Sequence, residues 1–323
     1  MGVPHLNRTL RNKCTDGITQ INLSQLKGKK IAIDASIYMY RYLADDNLLE
    51  GMFLMMSTLC ELGMIPILVF DGKPPVEKED VLQKRRARRQ KALAECAELQ
   101  EALDALDKDD ENRQKLENEL DKMRRASVKI KTTDVLKVKE LAVAMSISFR
   151  DSEGEADVLC AQLVNKKFAY ACLSEDMDMF VFGCKRVLRY LSLISGTVVL
   201  YTLDTILDEI QMSQGDFTKV CVLSGTDYNR GENNCKSISL ETGLKLYAQY
   251  KESKKRTDFY VWLEENASNV VSNIYSLYSV AYMFDLTNYN CPKGMHELSF
   301  CNGPICIDNV RRVLEPVGFV FLE

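Results

Sequence analysis

Two pairs of carboxylates, Glu153/Glu155 and Asp176/Asp178, stand 23 residues apart, and each pair has one residue between its members. Charges of one sign packed this densely repel, by roughly 4 kcal/mol at 4 Å in an effective dielectric of about 20. Something must neutralise them. For an all-oxygen donor set the matching ion is Mg²⁺ or Mn²⁺. Three further aspartates fall where they could join the set. Asp34 ends the apolar run KKIAID, Asp71 ends IPILVFD, and Asp227 follows the glycine of LSGTDY. The chemistry open to such a cluster is metal-assisted attack on a phosphate centre.

Elements must bring these residues together. The runs around Ile31–Ile33 and 65–70 predict buried strands, and the 51–63 segment between them has helical apolar spacing ended by Gly63. Strand, helix, strand implies a parallel sheet, whose ligands bind beyond the carboxyl ends of the strands. Asp34 and Asp71 then emerge on one rim. A strand at 147–149 leads to Glu153 and Glu155 at a helix N-terminus, where the helix dipole eases negative charge. A strand at 169–173 delivers Asp176 and Asp178. Segments 185–193 and 196–203 predict a hairpin, and 216–228 a helix that ends at Gly225.

The chain of 323 residues has ordinary hydrophobic content, 46%, and a net charge of −4. That total argues against a uniformly basic nucleic-acid binder, but the charge is patterned. Lys73–Lys91 holds eight Lys/Arg against three acids, and Asp104–Asp121 holds eight acids against three bases. A local basic patch can steer a polyanion despite an acidic total. The segment 76–135 predicts a helical hairpin with a narrow stripe at Leu93, Cys96, Leu99, Leu103 and Leu106, turning at Asp109-Asp110. Lys84, Arg85, Arg86, Arg88 and Arg89 crowd its first helix. A solvated helix pair is the bland reading; phosphate contact is the functional one. No apolar run is long enough to span a bilayer, and MGVPHLNRTLRNK has no apolar signal region. Eleven scattered cysteines without C-x-x-C suit an intracellular, reducing compartment.

Taken together, MGVPHL, KKIAIDAS, PILVFDGKPP, the spacing from Lys78 to Arg85, DSEGEAD, SEDMDMFVFG and LSGTDY resemble the XPG/flap-endonuclease superfamily of 5′ nucleases, over roughly residues 1–230. The resemblance implies an α/β fold: a central, mostly parallel sheet flanked by helices (a PIN-like core), with a helical arch inserted and a helical C-terminal region. It implies one nuclease domain over 1–323, made of an N-terminal region 1–97, the arch 76–135, an internal region 136–230 and a C-terminal region 231–323. It places two Mg²⁺ or Mn²⁺ ions on Asp34, Asp71, Glu153, Glu155, Asp176, Asp178 and Asp227. Lys78 and Arg85 fall on the arch residues that meet the scissile phosphate. Tyr40 falls on the tyrosine that stacks the terminal base, and Gly2 on the N-terminal glycine near DNA. Lys84, Arg88 and Arg89 would add DNA contacts. The implied activity is structure-specific 5′ flap endonuclease and 5′-3′ exonuclease cleavage of DNA in replication, repair or recombination, by a monomer in the nucleus.

The chain departs from the pattern in places. The family's glycine hairpin, which holds duplex phosphates with a potassium ion, is replaced by NNCKSISLETGLKLY (233–247), so the K⁺ site is not carried over. No sliding-clamp peptide is visible, and the loop between Leu43 and Met52 is short. A minimal relative encoded by a large DNA virus, working at a replication site in host cytoplasm, fits these losses. Cys291, His296, Cys301 and Cys306 could supply four zinc ligands, but the usual paired C-x₂₋₄-C is missing. Packed thiols are the expected state, without Zn²⁺. The segment 272–284 is an aromatic helical stripe expected in the core. Two other functions stay open: a non-catalytic DNA-junction scaffold, which predicts eroded carboxylates, and a phosphohydrolase of another fold using the Asp-x-Asp of EDMD.

Overall fold

The computed structural model describes residues 2–106, 112–229, 238–255, 257–271, 273–290 and 302–321. In chain order the elements are α1 (Leu6–Lys13), β1 (Ile18–Asn22), β2 (Lys30–Asp34), α2 (Ala35–Ala44), α3 (Leu48–Glu61), β3 (Ile65–Phe70), α4 (Glu79–Asp104), α5 (Arg113–Ser127), α6 (Thr132–Ala144), β4 (Ser148–Asp151), α7 (Ala156–Asn165), β5 (Ala171–Leu173), α8 (Asp178–Val181), β6 (Arg186–Ser192), β7 (Thr197–Thr202), α9 (Leu203–Glu209), α10 (Gln214–Leu223), α11 (Leu240–Glu252), α12 (Phe259–Asn266), α13 (Ile274–Met283) and α14 (Ile307–Leu314). They fall into two compact units.

The first unit comprises Met1–Ala35, Ser57–Glu77 and Ile147–Asn302. It carries a mixed seven-stranded sheet in the order β1-β7-β6-β5-β2-β3-β4. Strands β4, β3, β2, β5 and β6 run parallel, and β7 and β1 close the far edge antiparallel. The chain leaves β2 for β3 and β4 on one side, then returns to β5 on the other. The gap between β2 and β5 is therefore the switch point, where ligands bind beyond the strand ends. The parallel strands read as continuous apolar runs because both faces are covered: Ile31, Ala32, Ile33, Ile67, Leu68 and Val69 are all buried. Helix α7 buries nearly every residue against this sheet.

Sequence reading missed β1. Its five residues, ITQIN, are all at least partly exposed, so no apolar alternation marks them. They form a strand because β7 pairs with each of them. Helices α1, α2, α8, α12 and α14 were also not anticipated. Helix α10 stops at Leu223, two residues short of Gly225. The aromatic α13 buries only Leu277 and Val280 fully, and leaves Tyr275 and Tyr282 exposed.

The second unit comprises Ser36–Met56, Lys78–Ser146 and Gly303–Glu323. Helices α4 and α5 pair as the expected hairpin, although Asp109-Asp110 lies outside the described residues. Its apolar seam is thinner than the spacing suggested. Ala92, Leu103 and Leu120 are buried, but Leu93 is 52% exposed. Polar ties compensate. Arg124 Nη2 donates to Gln100 Oε1 at 2.9 Å. Arg113 Nη1 reaches the carbonyls of Leu103 and Leu106, each at 3.4 Å, satisfying acceptors at the C-terminus of α4. Elsewhere α6 and α14 pack through Val138, Leu141, Val310 and Leu314.

Candidate active site and family membership

The rim of the first unit gathers the acidic residues from four strand ends. Asp34 closes β2 opposite Val69 of β3. Asp71 follows Phe70, and Phe70 pairs with Asp151 of β4, whose next residues are Ser152-Glu153-Gly154-Glu155. Leu173 of β5 pairs with Ile33 of β2, so Ser174 emerges beside Asp34. Ser174 Oγ donates to Asp34 Oδ2 at 3.3 Å and accepts the Asp176 N–H at 3.1 Å. The carboxyl ends of the adjacent parallel strands β5, β2, β3 and β4 thus put six of the seven carboxylates on one rim.

Each loop is fixed by contacts that sequence reading did not single out. Gly72, after Asp71, lies against the β4 loop. Its N–H donates to Gly154 O at 2.7 Å, and the Lys73 N–H reaches Glu153 O at 3.3 Å. A Cβ at position 72 would sit 2.0 Å from Ser152 O and 2.8 Å from Glu153 O. Only glycine lets these backbones approach so closely. Asp71 Oδ1 in turn accepts the Ala156 N–H at 2.8 Å, which caps the first amide of α7. Ser152 Oγ donates to Glu155 O at 2.8 Å.

The second acidic pair is bound to itself and to the N-terminal segment. The Asp178 N–H donates to Asp176 Oδ1 at 3.0 Å. Gly2, with φ +80°, lies on both carboxylates: a Cβ there would fall 2.4 Å from Asp178 Oδ1 and 2.6 Å from Asp176 Oδ1. Tyr228 links the two halves of the rim. Its phenol donates to Glu155 Oε2. Burial, and then the charges of Glu155 and Asp178, push the phenol pKa far above its usual range. Asp227 is buried in the preceding turn. That turn is tied by the Thr226 N–H to Asn229 Oδ1 at 2.7 Å and by Asn229 Nδ2 to Val222 O at 2.8 Å. Burial raises the Cys160 thiol, Cys172 lowers it through a hydrogen bond, and Asp34 and Asp71 raise it further. Both aspartates therefore overlook the same stretch of α7.

Asp34, Asp176, Asp178 and Asp227 are buried, Glu155 is half-buried, and Asp71 and Glu153 are exposed. Among the described residues no three His, Cys, Asp or Glu side chains are set to hold a metal ion as they stand. The donor chemistry nevertheless suits a hard divalent cation, because all the candidate ligands are carboxylates.

The remaining expected residues belong to the second unit. Tyr40 on α2 is 45% exposed. Lys84, Arg85 and Arg88 on α4 are exposed and Arg89 is half-buried. Lys78, by contrast, is 7% exposed in the turn that precedes α4. Of the four residues considered for zinc, Cys306 is exposed at the start of α14, and the other three lie outside the described residues. So do residues 233–237 of the altered hairpin segment.

Two family models match the chain: the XPG N-terminal domain over residues 1–92 and the XPG I-region over 146–227. Flap endonuclease 1 of Glossina morsitans morsitans is 30% identical over 273 residues, covering 78% of this chain and 67% of that protein. Flap endonuclease 1 of Encephalitozoon cuniculi is 32% identical over 248 residues, covering 71% and 68%.

The chain belongs to the XPG/flap endonuclease family.

Solved structures agree on the fold of this flap endonuclease relative. The catalytic core of Rad2 in complex with DNA substrate matches with TM-score 0.70 and 19% identity, covering 98% of this chain and 95% of that one. Flap endonuclease-1 from Methanococcus jannaschii matches with TM-score 0.61 and 22% identity, covering 93% and 90%. Human GEN1 in complex with Holliday junction DNA matches with TM-score 0.65 and 17% identity, covering 98% and 74%. Family membership implies a nuclease that uses a divalent metal. Among the described residues no helix is long and apolar enough to cross a membrane.

Proposed function

We propose that this protein is a structure-specific 5′ flap endonuclease that cuts DNA phosphodiesters with Mg²⁺ or Mn²⁺ held by Asp34, Asp71, Glu153, Glu155, Asp176, Asp178 and Asp227. The observation that carries the reading is the rim itself, where four strand ends and the Asp227 turn deliver carboxylates that Gly72, Gly2 and Tyr228 hold in place. Two divalent ions, when bound, would supply Lewis acidity at the phosphoryl oxygens and an activated water.

The chain's own residues do the rest. Gly2 packs its backbone against Asp176 and Asp178, where any side chain would clash with their carboxylate oxygens. Tyr228, kept neutral by burial and by its acidic neighbours, orients Glu155. Exposed Lys84, Arg85 and Arg88 suit phosphate contacts along a single strand, and exposed Tyr40 suits base stacking. Residues 76–135 are read as the arch and the whole chain as one nuclease domain.

The test is cleavage of end-labelled 5′-flap, nicked, bubble and four-way-junction DNA with Mg²⁺, under varied Na⁺ and K⁺. Incision at the flap base is expected. Binding of all four substrates without incision of any would replace this reading by that of a junction-binding scaffold.

A further inference from the structure

Arg189 of β6 is a buried cation, 6% exposed. Its partners are the residues on either side of Asp176. Nη2 donates to Glu175 O at 3.0 Å and pairs with Glu175 Oε2 at 3.4 Å. Nη1 lies 2.8 Å from Met177 Sδ and donates to Asn7 Oδ1 at 2.8 Å. Asn7 belongs to α1, five residues after Gly2. The same Oδ1 accepts the Tyr201 hydroxyl at 2.9 Å, and Asn7 Nδ2 donates to Tyr190 Oη at 2.6 Å.

The backbone of β6 is bent to make this possible. Successive residues of a strand point to opposite faces. Here a bulge lies between Arg189 and Ser192, and Tyr190 has φ +56°. A tyrosine in the left-handed region is strained, and bulges re-aim side chains near functional sites. The result is that the Tyr190 N–H donates to Glu175 Oε1 at 2.6 Å while the Arg189 guanidinium lies 4.9 Å from the Tyr190 ring centre. Both residues hold the one glutamate.

We infer that Arg189 is a positioning residue: it clamps Glu175 and Met177 around Asp176 and, through Asn7, ties the segment bearing Gly2 to the same turn. The inference rests on the proposed metal-dependent nuclease. A planar fork serves four partner atoms on three residues, Glu175, Met177 and Asn7, where lysine offers a single point charge. Outer partners of this kind typically alter metal affinity or activity by about 10–100-fold.

The experiment compares wild-type protein with Arg189→Met, Arg189→Lys and Glu175→Gln. Three readouts are taken: steady-state cleavage of a 5′-flap substrate, Mn²⁺ binding without DNA by the electron paramagnetic resonance of free Mn²⁺, and thermal unfolding by circular dichroism. Arg189→Met is expected to lower kcat by about 10–100-fold and to weaken Mn²⁺ binding about as much. KM for DNA is expected to stay unchanged, because the side chain is buried. Arg189→Lys should recover part of both losses. Wild-type kcat and Mn²⁺ affinity in Arg189→Met, or a lowered Tm as its sole change, would overturn the inference. Should that variant fail to fold, Glu175→Gln keeps the carbonyl contact and loses the ion pair. It should show smaller losses in the same two readouts, and wild-type values in both would equally overturn it. If wild-type protein cuts no DNA, the nuclease reading fails, and Mn²⁺ binding still decides the role of Arg189.

Discussion

Replacing Gly72 by alanine should disable the site without touching a carboxylate. The added Cβ would lie 2.0 Å from Ser152 O, 2.8 Å from Glu153 O and 2.9 Å from Glu153 C. All three are backbone atoms, so no side chain can swing aside. Real Cβ contacts start near 3.0 Å, and the Asp71 loop must therefore separate from the Ser152–Glu155 loop by about 1 Å. A displacement of that size at a reacting centre can cost about 10²-fold in rate, or roughly 2.7 kcal/mol of transition-state stabilisation. The hydrogen bonds from the Gly72 and Lys73 amides to Gly154 O and Glu153 O would stretch or break, a further loss of about 1–3 kcal/mol in folding stability. The assay is single-turnover cleavage of a flap substrate at saturating enzyme and Mg²⁺, paired with urea unfolding. Gly215→Ala in α10 serves as control. Its Cβ would meet one atom, Ser213 Oγ, at 4.0 Å, and alanine should add about 0.5–1 kcal/mol of stability with the rate unchanged. A Gly72→Ala protein that cuts within threefold of wild type would refute the claim that this approach sets the site.

Asp176→Asn should abolish cleavage while flap binding, measured by fluorescence anisotropy in Ca²⁺, stays within a fewfold of wild type. Tyr228→Phe removes the hydrogen bond to Glu155; a bond to a charged group is worth about 1.5–3 kcal/mol, so single-turnover kinetics should show a loss of roughly 10–100-fold. Burial, reinforced by Glu209, pushes the Cys14 thiol up from 9.0 to about 12. Its folded form stays protonated while the unfolded chain ionises, so its stabilising contribution is intact below pH 9 and is lost between pH 9 and 12. Cys14→Ala should therefore make the fall of urea-derived stability over that window shallower by up to about 1.4 kcal/mol per pH unit.

Much of this was legible in the sequence because it rests on local pattern. The runs at 31–33 and 65–70 could be nothing but buried strands, and a helix between them made the pairing parallel. Once the strands are parallel, acidic residues at their carboxyl ends must share a rim, and the list of Asp34, Asp71, Glu153, Glu155, Asp176 and Asp178 follows. The charge segregation of 73–121 likewise announced a solvated helical pair. Tertiary structure decided what depends on partners remote in the chain. Strand β1 exists because β7 pairs with it, not because ITQIN favours a strand. Gly72 and Gly154 look like ordinary loop glycines until the two loops are seen to touch, and their difference is purely one of distance. Lys78 and Arg85 differ in exposure although the sequence presents them as a pair. Arg189 lies in the segment 185–193, which the sequence presents only as one strand of a hairpin. Only the bulge at Tyr190 turns it onto Glu175, because a side chain's direction in a strand is set by backbone register, which no run of residue types encodes by itself.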